Sequence, residues 1–346
     1  VIRVLVVEDS AVVRELLCGI LSSDPDLLVV GTASNGAEAL NAVAEQRPDV
    51  VTMDIHMPVM DGFESTRSIM ETHPTPIVIV SGNTLTNELD ASFRALEAGA
   101  LTVLARPPGP LHRDYETASR ALIRTVKLMS EVKVVRRLPR QRPAPSAPAS
   151  AGAEIQAAVV GASTGGPAAL REIFSALPRD LKFPVLVVQH IGGGFLTGLV
   201  DWLNRSSAFP MRLAVHGEPL LPGRAYVAPE GFHMGVTPDR RVLLSEDAPE
   251  YGARPSVSYL FRTSSEVFGS RLLAVLLTGM GKDGAKELGL IRSRGALTVA
   301  QDKATSVVFG MPGEAVRLGA AGKVLALEEI GPLMASLGAA HGGVTR

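Results

Sequence analysis

Three residues stand where this chain could do covalent chemistry. Ser163 lies in AVVGASTGGP, Ala158 to Pro167, an apolar run that breaks into a Gly-rich turn and then into helix-type text with Pro in its first turn. Such a setting holds a Ser on a sharp turn beside the backbone N–H groups of a helix N-terminus, and Gly161, Ser163 and Gly165 satisfy G-x-S-x-G. Alone the motif is weak, because a strand, Gly loop and helix can equally cradle a phosphate or merely cap the helix. A serine nucleophile needs a base, and His190 follows the apolar run Val185–Gln189 directly. That base needs an orienting carboxylate, and Asp283 follows the run Leu272–Leu277 within TGMGKDG. Side chains at the carboxyl ends of separate strands can meet whatever their separation along the chain. In an α/β-hydrolase the acid precedes the His, which would require His341 in the tail AAHGG, a poor candidate. His216 and His233 fall outside such placements and read as surface or structural residues. Zinc is disfavoured, since no close pair of His or Cys ligands occurs.

A second set is acidic. Glu8 and Asp9 follow the first apolar run, Asp54 the third, Ser81 the fourth and Arg106 the fifth. Each carboxylate alone reads as solvated or as a helix cap. Converging at one sheet edge they would repel one another unless a hard divalent cation sat among them, and oxygen-only ligands suit Mg²⁺.

The elements that would position these groups follow a repeated grammar. The runs Ile2–Val7, Leu27–Val30, Val50–Met53, Ile77–Val80 and Leu101–Ala105 alternate with helix-type spacing such as Ala11–Leu21 and Ala37–Ala44. From Glu154 the pattern resumes, with runs at Ala157–Val160, Val185–Val188, Ala225–Ala228, Leu272–Leu277 and Leu297–Ala300. Helical stretches at Ala168–Leu177, Leu199–Leu203 and Val257–Phe268 lie between them. Strands alternating with helices predict doubly wound parallel sheets. At 346 residues the chain exceeds the roughly 250–300 at which single cores stop growing, so two domains are expected. The boundaries fall at 1–130 and 154–346. Between them, 131–153 is a linker rich in Pro, Ala and Arg and without periodicity.

Composition excludes several classes. A formal charge of −1 gives no basic footprint for nucleic acid, and no apolar run approaches the roughly 18 residues of a membrane span. The single Cys18, in an apolar helical pattern, rules out an internal disulfide framework and reads as a small buried hydrophobe. With no signal-peptide pattern at the start, a cytoplasmic address is expected.

The first third of the chain resembles the receiver domains of two-component response regulators. The matching text is VLVVEDS at Val4–Ser10, VTMDIHMP at Val51–Pro58, MDGF at Met60–Phe63, VSG at Val80–Gly82, AGA at Ala98–Ala100, and Arg106 with Pro107. The resemblance implies a flavodoxin-like fold with Asp54 as phosphoacceptor. It makes Glu8 and Asp9 metal-binding acids, the carbonyl of His56 a further Mg²⁺ ligand and Ser81 the hydroxyl that meets the phosphoryl group. Two positions depart from it: Arg106 stands for the usual lysine and Val103 for the usual aromatic switch residue. Arg keeps the charge but is longer and planar.

The second domain is similar to the chemotaxis protein-glutamate methylesterase family, CheB. The residues that carry this are GASTGGP at Gly161–Pro167, VQH at Val188–His190, PGRAYVAP at Pro222–Pro229, RPSV at Arg254–Val257, TGMGKDGA at Thr278–Ala285 and QDKATSVVFGMP at Gln301–Pro312. The resemblance implies a Rossmann-like serine hydrolase domain with Ser163 as nucleophile, His190 as base and Asp283 as its orienting acid. Met280 would lend backbone N–H to the oxyanion hole and Thr164 would support the site. It implies hydrolysis of glutamate methyl esters on a methylated chemoreceptor, control by a CheA-type histidine kinase, glutamine deamidation as a second reaction, and no cofactor for the ester chemistry. IGGGF at Ile191–Phe195, where the family usually shows Met-Pro before the Phe, and Ser258, where an acid is frequent, are expected near the substrate groove. Two other readings stay open: a regulator whose second domain only binds a partner, and a regulated hydrolase of small esters.

Overall fold

Strand-forming apolar runs bounded by Asp, Gly and Pro build two parallel sheets in the computed structural model, which describes residues 1–82, 94–132, 154–192 and 194–339. The expected linker, apart from residues 131 and 132, lies outside the described residues. Two units divide the chain, one N-terminal and one C-terminal.

In the N-terminal unit, β1 (Ile2–Val7), β2 (Leu27–Ala33), β3 (Val50–Met53), β4 (Ile77–Ser81) and β5 (Thr102–Ala105) pair in the order β2-β1-β3-β4-β5. All pairings are parallel, the flavodoxin-like arrangement. Val4–Val7, all of β3 and all of β4 are buried, because helices cover both faces: α1 (Ala11–Ser22), α2 (Gly36–Gln46), α3 (Gly62–Thr72) and α4 (Tyr115–Ser130). Asn35 and Asp61 cap α2 and α3 by accepting the N–H groups of Glu38 and Glu64. Cys18 is half-buried in α1.

The C-terminal unit contains β6 (Ala157–Ala162), α5 (Gly166–Ser175), β7 (Val185–Gln189), α6 (Leu196–Ser206), β8 (Met211–Leu213), β9 (Ala225–Val227), β10 (His233–Val236), β11 (Val242–Ser245), α7 (Val257–Phe268), β12 (Leu272–Leu276), α8 (Ala285–Ser293), β13 (Leu297–Gln301), α9 (Met311–Arg317), β14 (Lys323–Leu325) and α10 (Leu327–Ala339). Seven strands pair in the order β14-β13-β12-β6-β7-β9-β8, all parallel, while β10 and β11 form a separate antiparallel hairpin. This is a Rossmann-like doubly wound sheet whose order reverses beside β6, where such sheets place their sites. The strands that periodicity does not reveal are β8 and β14, three-residue edge strands, and the hairpin. Among the described residues no helix is long and apolar enough to cross a membrane.

Helix α7 is pressed onto the sheet at two glycines. A Cβ on Gly161, in β6, would approach Val257 Cγ1 to 2.3 Å, and one on Gly284 would approach the same atom to 2.4 Å. The first residue of α7 therefore sits where any side chain would exclude it. Gly161→Ala should lower the stability of this unit by about 1–3 kcal/mol in urea titration. An unchanged midpoint would show that this contact does not set the helix's distance from the sheet.

Candidate active site and acidic pocket

Of the three residues that the sequence singles out, Ser163 and His190 directly follow the central strands β6 and β7, and Asp283 lies in the loop between β12 and α8. Ser163 follows β6, where its N–H donates to the Thr278 carbonyl (3.0 Å) and its own carbonyl accepts Gly166 N–H (2.8 Å). Gly165 takes φ +79° to make the turn, and Pro167 opens the helix that follows. Gly279 lies against the serine: a Cβ there would come within 2.7 Å of Ser163 Cβ. Met280, half-buried, is the next residue, so the strand end carrying Met280 is packed beside Ser163. Thr164 is held through its carbonyl, which accepts Thr278 Oγ1 at 2.9 Å.

His190 follows β7, with its N–H donating to the Ala162 carbonyl at 2.9 Å. Its Nε2 lies 3.1 Å from Asp283 Oδ2. At that distance ring and carboxylate attract, although the N–H does not point squarely at the oxygen. Asp283 is only 3% exposed. Ser256 Oγ (2.9 Å) and the N–H groups of Val257 and Ser258 (2.8 Å each) donate to its two oxygens. Those donors form the N-terminus of α7, where unpaired N–H groups and the helix dipole favour an anion. Burial pushes the Asp283 carboxyl up, but the facing His190, with the Ser258 N–H, outweighs it and holds it below the usual range.

Ser258, expected near the substrate groove, is fully buried and donates its N–H to Asp283, so it lies beneath the constellation. The start of α7 turns its N–H toward the carboxylate. In 191–195, Gly193 lies outside the described residues.

Several supporting residues carry no signal in the sequence alone. Buried Gln189 donates from Nε2 to the carbonyls of Ser163 (2.8 Å) and His190 (2.7 Å), tying the two loops together. Buried Gln301 accepts Thr278 N–H at 2.8 Å. Both end strands, where the sheet-edge rule points, yet a glutamine there proclaims no chemistry. His233 is structural, as expected: it is buried, its Nδ1 accepts Ser256 N–H and its Nε2 faces the Ala248 carbonyl. His216 likewise accepts Leu244 N–H.

In the N-terminal unit, carboxylate oxygens of Glu8, Asp9 and Asp54 all lie within 4.8 Å of one another. Arg106 Nη2 bridges Glu8 (3.0 Å) and Asp54 (3.1 Å). Burial and the Asp54 charge raise the Glu8 carboxyl to about 7 against the pull of Arg106; burial likewise raises Asp54. Ser81 is buried in the same strand-end row, and its Oγ has no hydrogen-bond partner among the described residues. An all-oxygen donor set suits a hard divalent cation, and an unpartnered buried hydroxyl fits an acceptor group brought to the pocket. The His56 side chain points to solvent and Val103 is buried in β5.

Fold and sites define the class: a flavodoxin-like unit with an acidic strand-end pocket, then a Rossmann-like unit with Ser163 after its central strand and a buried Asp283 facing His190. Residues 4–112 match the response regulator receiver domain family and residues 158–334 match the CheB methylesterase family. A protein of Nitrosospira multiformis named protein-glutamate methylesterase/protein-glutamine glutaminase is 53% identical over 99% of this chain and 98% of its own length. One of Geobacter metallireducens with the same name, numbered 4, is 52% identical over 97% and 99%. The crystal structure of the Thermotoga maritima CheB methylesterase catalytic domain, 35% identical, covers 53% of this chain and 98% of its own with a TM-score of 0.51. The chain belongs to the CheB methylesterase family, with a receiver domain ahead of the methylesterase domain.

A carboxyl with a folded pKa below its unfolded one contributes stability that is present above the unfolded value, about 4, and lost as pH falls through the folded value. Acid unfolding of the C-terminal unit below about pH 4, followed by circular dichroism, should therefore be steeper in the wild type than in Asp283→Asn. Superimposable profiles would mean that Asp283 titrates alike in both states.

Proposed function

We propose that the chain is a phosphorylation-controlled protein-glutamate methylesterase acting on methylated chemoreceptors, with glutamine deamidation as a second reaction. The observation that carries this reading is the buried, fully hydrogen-bonded Asp283 facing His190 at the ends of strands adjacent to the one that delivers Ser163. A partner-binding domain would have no use for a desolvated acid held in front of an imidazole. Full-length relatives that carry both activities in their names support the same reading.

Ser163 Oγ attacks the ester carbonyl of a receptor glutamate while His190 takes its proton. With Nε2 turned to Asp283, Nδ1 is the nitrogen left to accept that proton. The tetrahedral oxyanion is met by backbone N–H at Met280, with Thr164 supporting the turn. The carbon–methoxy bond breaks, His190 protonates the leaving oxygen, and methanol departs from an acyl-enzyme. Water then gives a proton to His190, adds to the acyl carbon and expels Ser163, leaving glutamate. General-base help is worth roughly 10²–10⁴-fold and an oxyanion donor roughly 10²–10³-fold. A glutamine carboxamide offers the same carbonyl with a poorer leaving group.

Asp54 is the phosphoacceptor for a CheA-type histidine kinase. Glu8, Asp9, Asp54 and the His56 carbonyl would hold Mg²⁺, which supplies positive charge to the phosphoryl group when bound. Ser81 and Arg106 meet the phosphoryl oxygens, Arg106 exchanging its carboxylate partners for them. The receiver spans 1–130, the linker 131–153 and the esterase 154–346, in a cytoplasmic protein that neither binds nucleic acid nor enters a membrane.

Ser163→Ala should abolish methanol release from membranes carrying methylated receptors, and His190→Ala should nearly do so, with the circular dichroism of both unchanged. Substantial turnover in either removes the assigned roles. A phosphodonor with Mg²⁺ should raise the activity of the full chain but not of Asp54→Ala; an equal response in both would place control elsewhere.

A further inference from the structure

Glu287 takes no part in the constellation described so far. It stands in the first turn of α8, where the helix dipole favours an ionised carboxylate. Its Oε2 lies 2.7 Å from Ser258 Oγ. The same hydroxyl oxygen lies 2.9 Å from Gly284 N–H, and Ser258 N–H donates to Asp283 Oδ1 at 2.8 Å. A hydroxyl has one hydrogen, and an ionised carboxylate only accepts. The Ser258 hydrogen therefore goes to Glu287, which leaves a lone pair aimed at Gly284 N–H. Gly284 directly follows Asp283, takes φ +79°, and is packed on Val257 at the first turn of α7. The peptide between residues 283 and 284 is thus gripped from both sides.

We propose that Glu287 is a positioning residue for the reaction and acts through Ser258. Its carboxylate fixes the Ser258 rotor as an acceptor for Gly284 N–H, pins the 283–284 peptide against the N-terminus of α7, and so sets the Asp283 carboxylate before His190. Without that carboxylate nothing on α8 holds the Ser258 hydrogen, so the hydroxyl can turn toward other acceptors and its lone pair is no longer fixed on Gly284 N–H, in a region where Ser258 and Asp283 are both buried.

The inference rests on the esterase reading, so its test has one arm that needs turnover and one that does not. In the full chain, Glu287→Ala should lower kcat for methanol release roughly tenfold with KM within about twofold. Glu287→Gln keeps an acceptor for the hydroxyl and should restore most of the rate, which also separates positioning from a failure to fold. Ser258→Ala should match Glu287→Ala, and the double variant should be no slower than either, because both cut the same relay. Independently, hydrogen exchange at the Gly284 amide should speed up roughly tenfold in Glu287→Ala and Ser258→Ala but stay near wild type in Glu287→Gln. Unaltered Gly284 exchange in Glu287→Ala, additive losses of kcat, or a change confined to KM would each overturn the proposal. A wild-type protein that releases no methanol would remove the esterase reading instead, and Gly284 exchange would still decide whether Glu287 holds the Asp283 turn.

Discussion

A carboxylate taken out of water is costly unless its lone pairs are filled, and the C-terminal unit is built around filling those of Asp283. Three donors from the start of α7 and the imidazole of His190 surround its two oxygens. This requirement fixes how α7 must approach β12 and β6, which residues can open that helix, and how closely β12 and β7 must end to one another. Removing the imidazole would leave the helix N-terminus as the anion's sole counterpart. Removing the helix would leave a desolvated charge with one partner.

The close approach that this demands is made with glycine. Gly161 and Gly284 admit Val257, and Gly279 admits Ser163 and Met311 Sδ, which would stand 2.5 Å from a Cβ there. A Cβ on Gly166 would meet the Gln189 side chain at 1.9 Å. Gln189 and Gln301 then serve as braces, spending buried amide groups on the backbone of neighbouring loops. Loop ends on open sheets are otherwise mobile, and reacting groups must be held to a fraction of an ångström for attack to be efficient.

The acidic pocket of the N-terminal unit works on a different balance. Arg106 bridges Glu8 and Asp54, with the N–H groups of Ser10 and Ile55 added from the backbone, and burial drives both carboxyls toward the neutral form. Ser81 contributes a hydroxyl that no neighbour among the described residues claims. Such a pocket responds to added charge, where the Asp283 site is already satisfied. The difference suits a switch in one case and a preorganised catalyst in the other.

The sequence by itself determined the alternation of strands and helices, the two parallel sheets, and the strand ends and following loops bearing Glu8, Asp54, Ser81, Arg106, Ser163, His190 and Asp283, because short apolar runs, period-3.6 patterning and Gly-bounded turns are local signals. It also carried the family, through motifs such as GASTGGP and TGMGKDGA. The tertiary structure alone decided what lies beneath those motifs. Ser258 is a buried donor to Asp283, a role that its place after RPSV does not reveal, since the direction of a helix-start N–H depends on how α7 docks. Gln189, Gln301 and Glu287 are ordinary residue types whose roles arise from partners 26, 23 and 29 positions away. Strand β8 and strand β14 are too short for periodicity and exist because β9 and β13 offer an edge to pair with. A pattern of hydrophobicity encodes which residues turn inward; which polar atom each one meets there is set only when the elements pack.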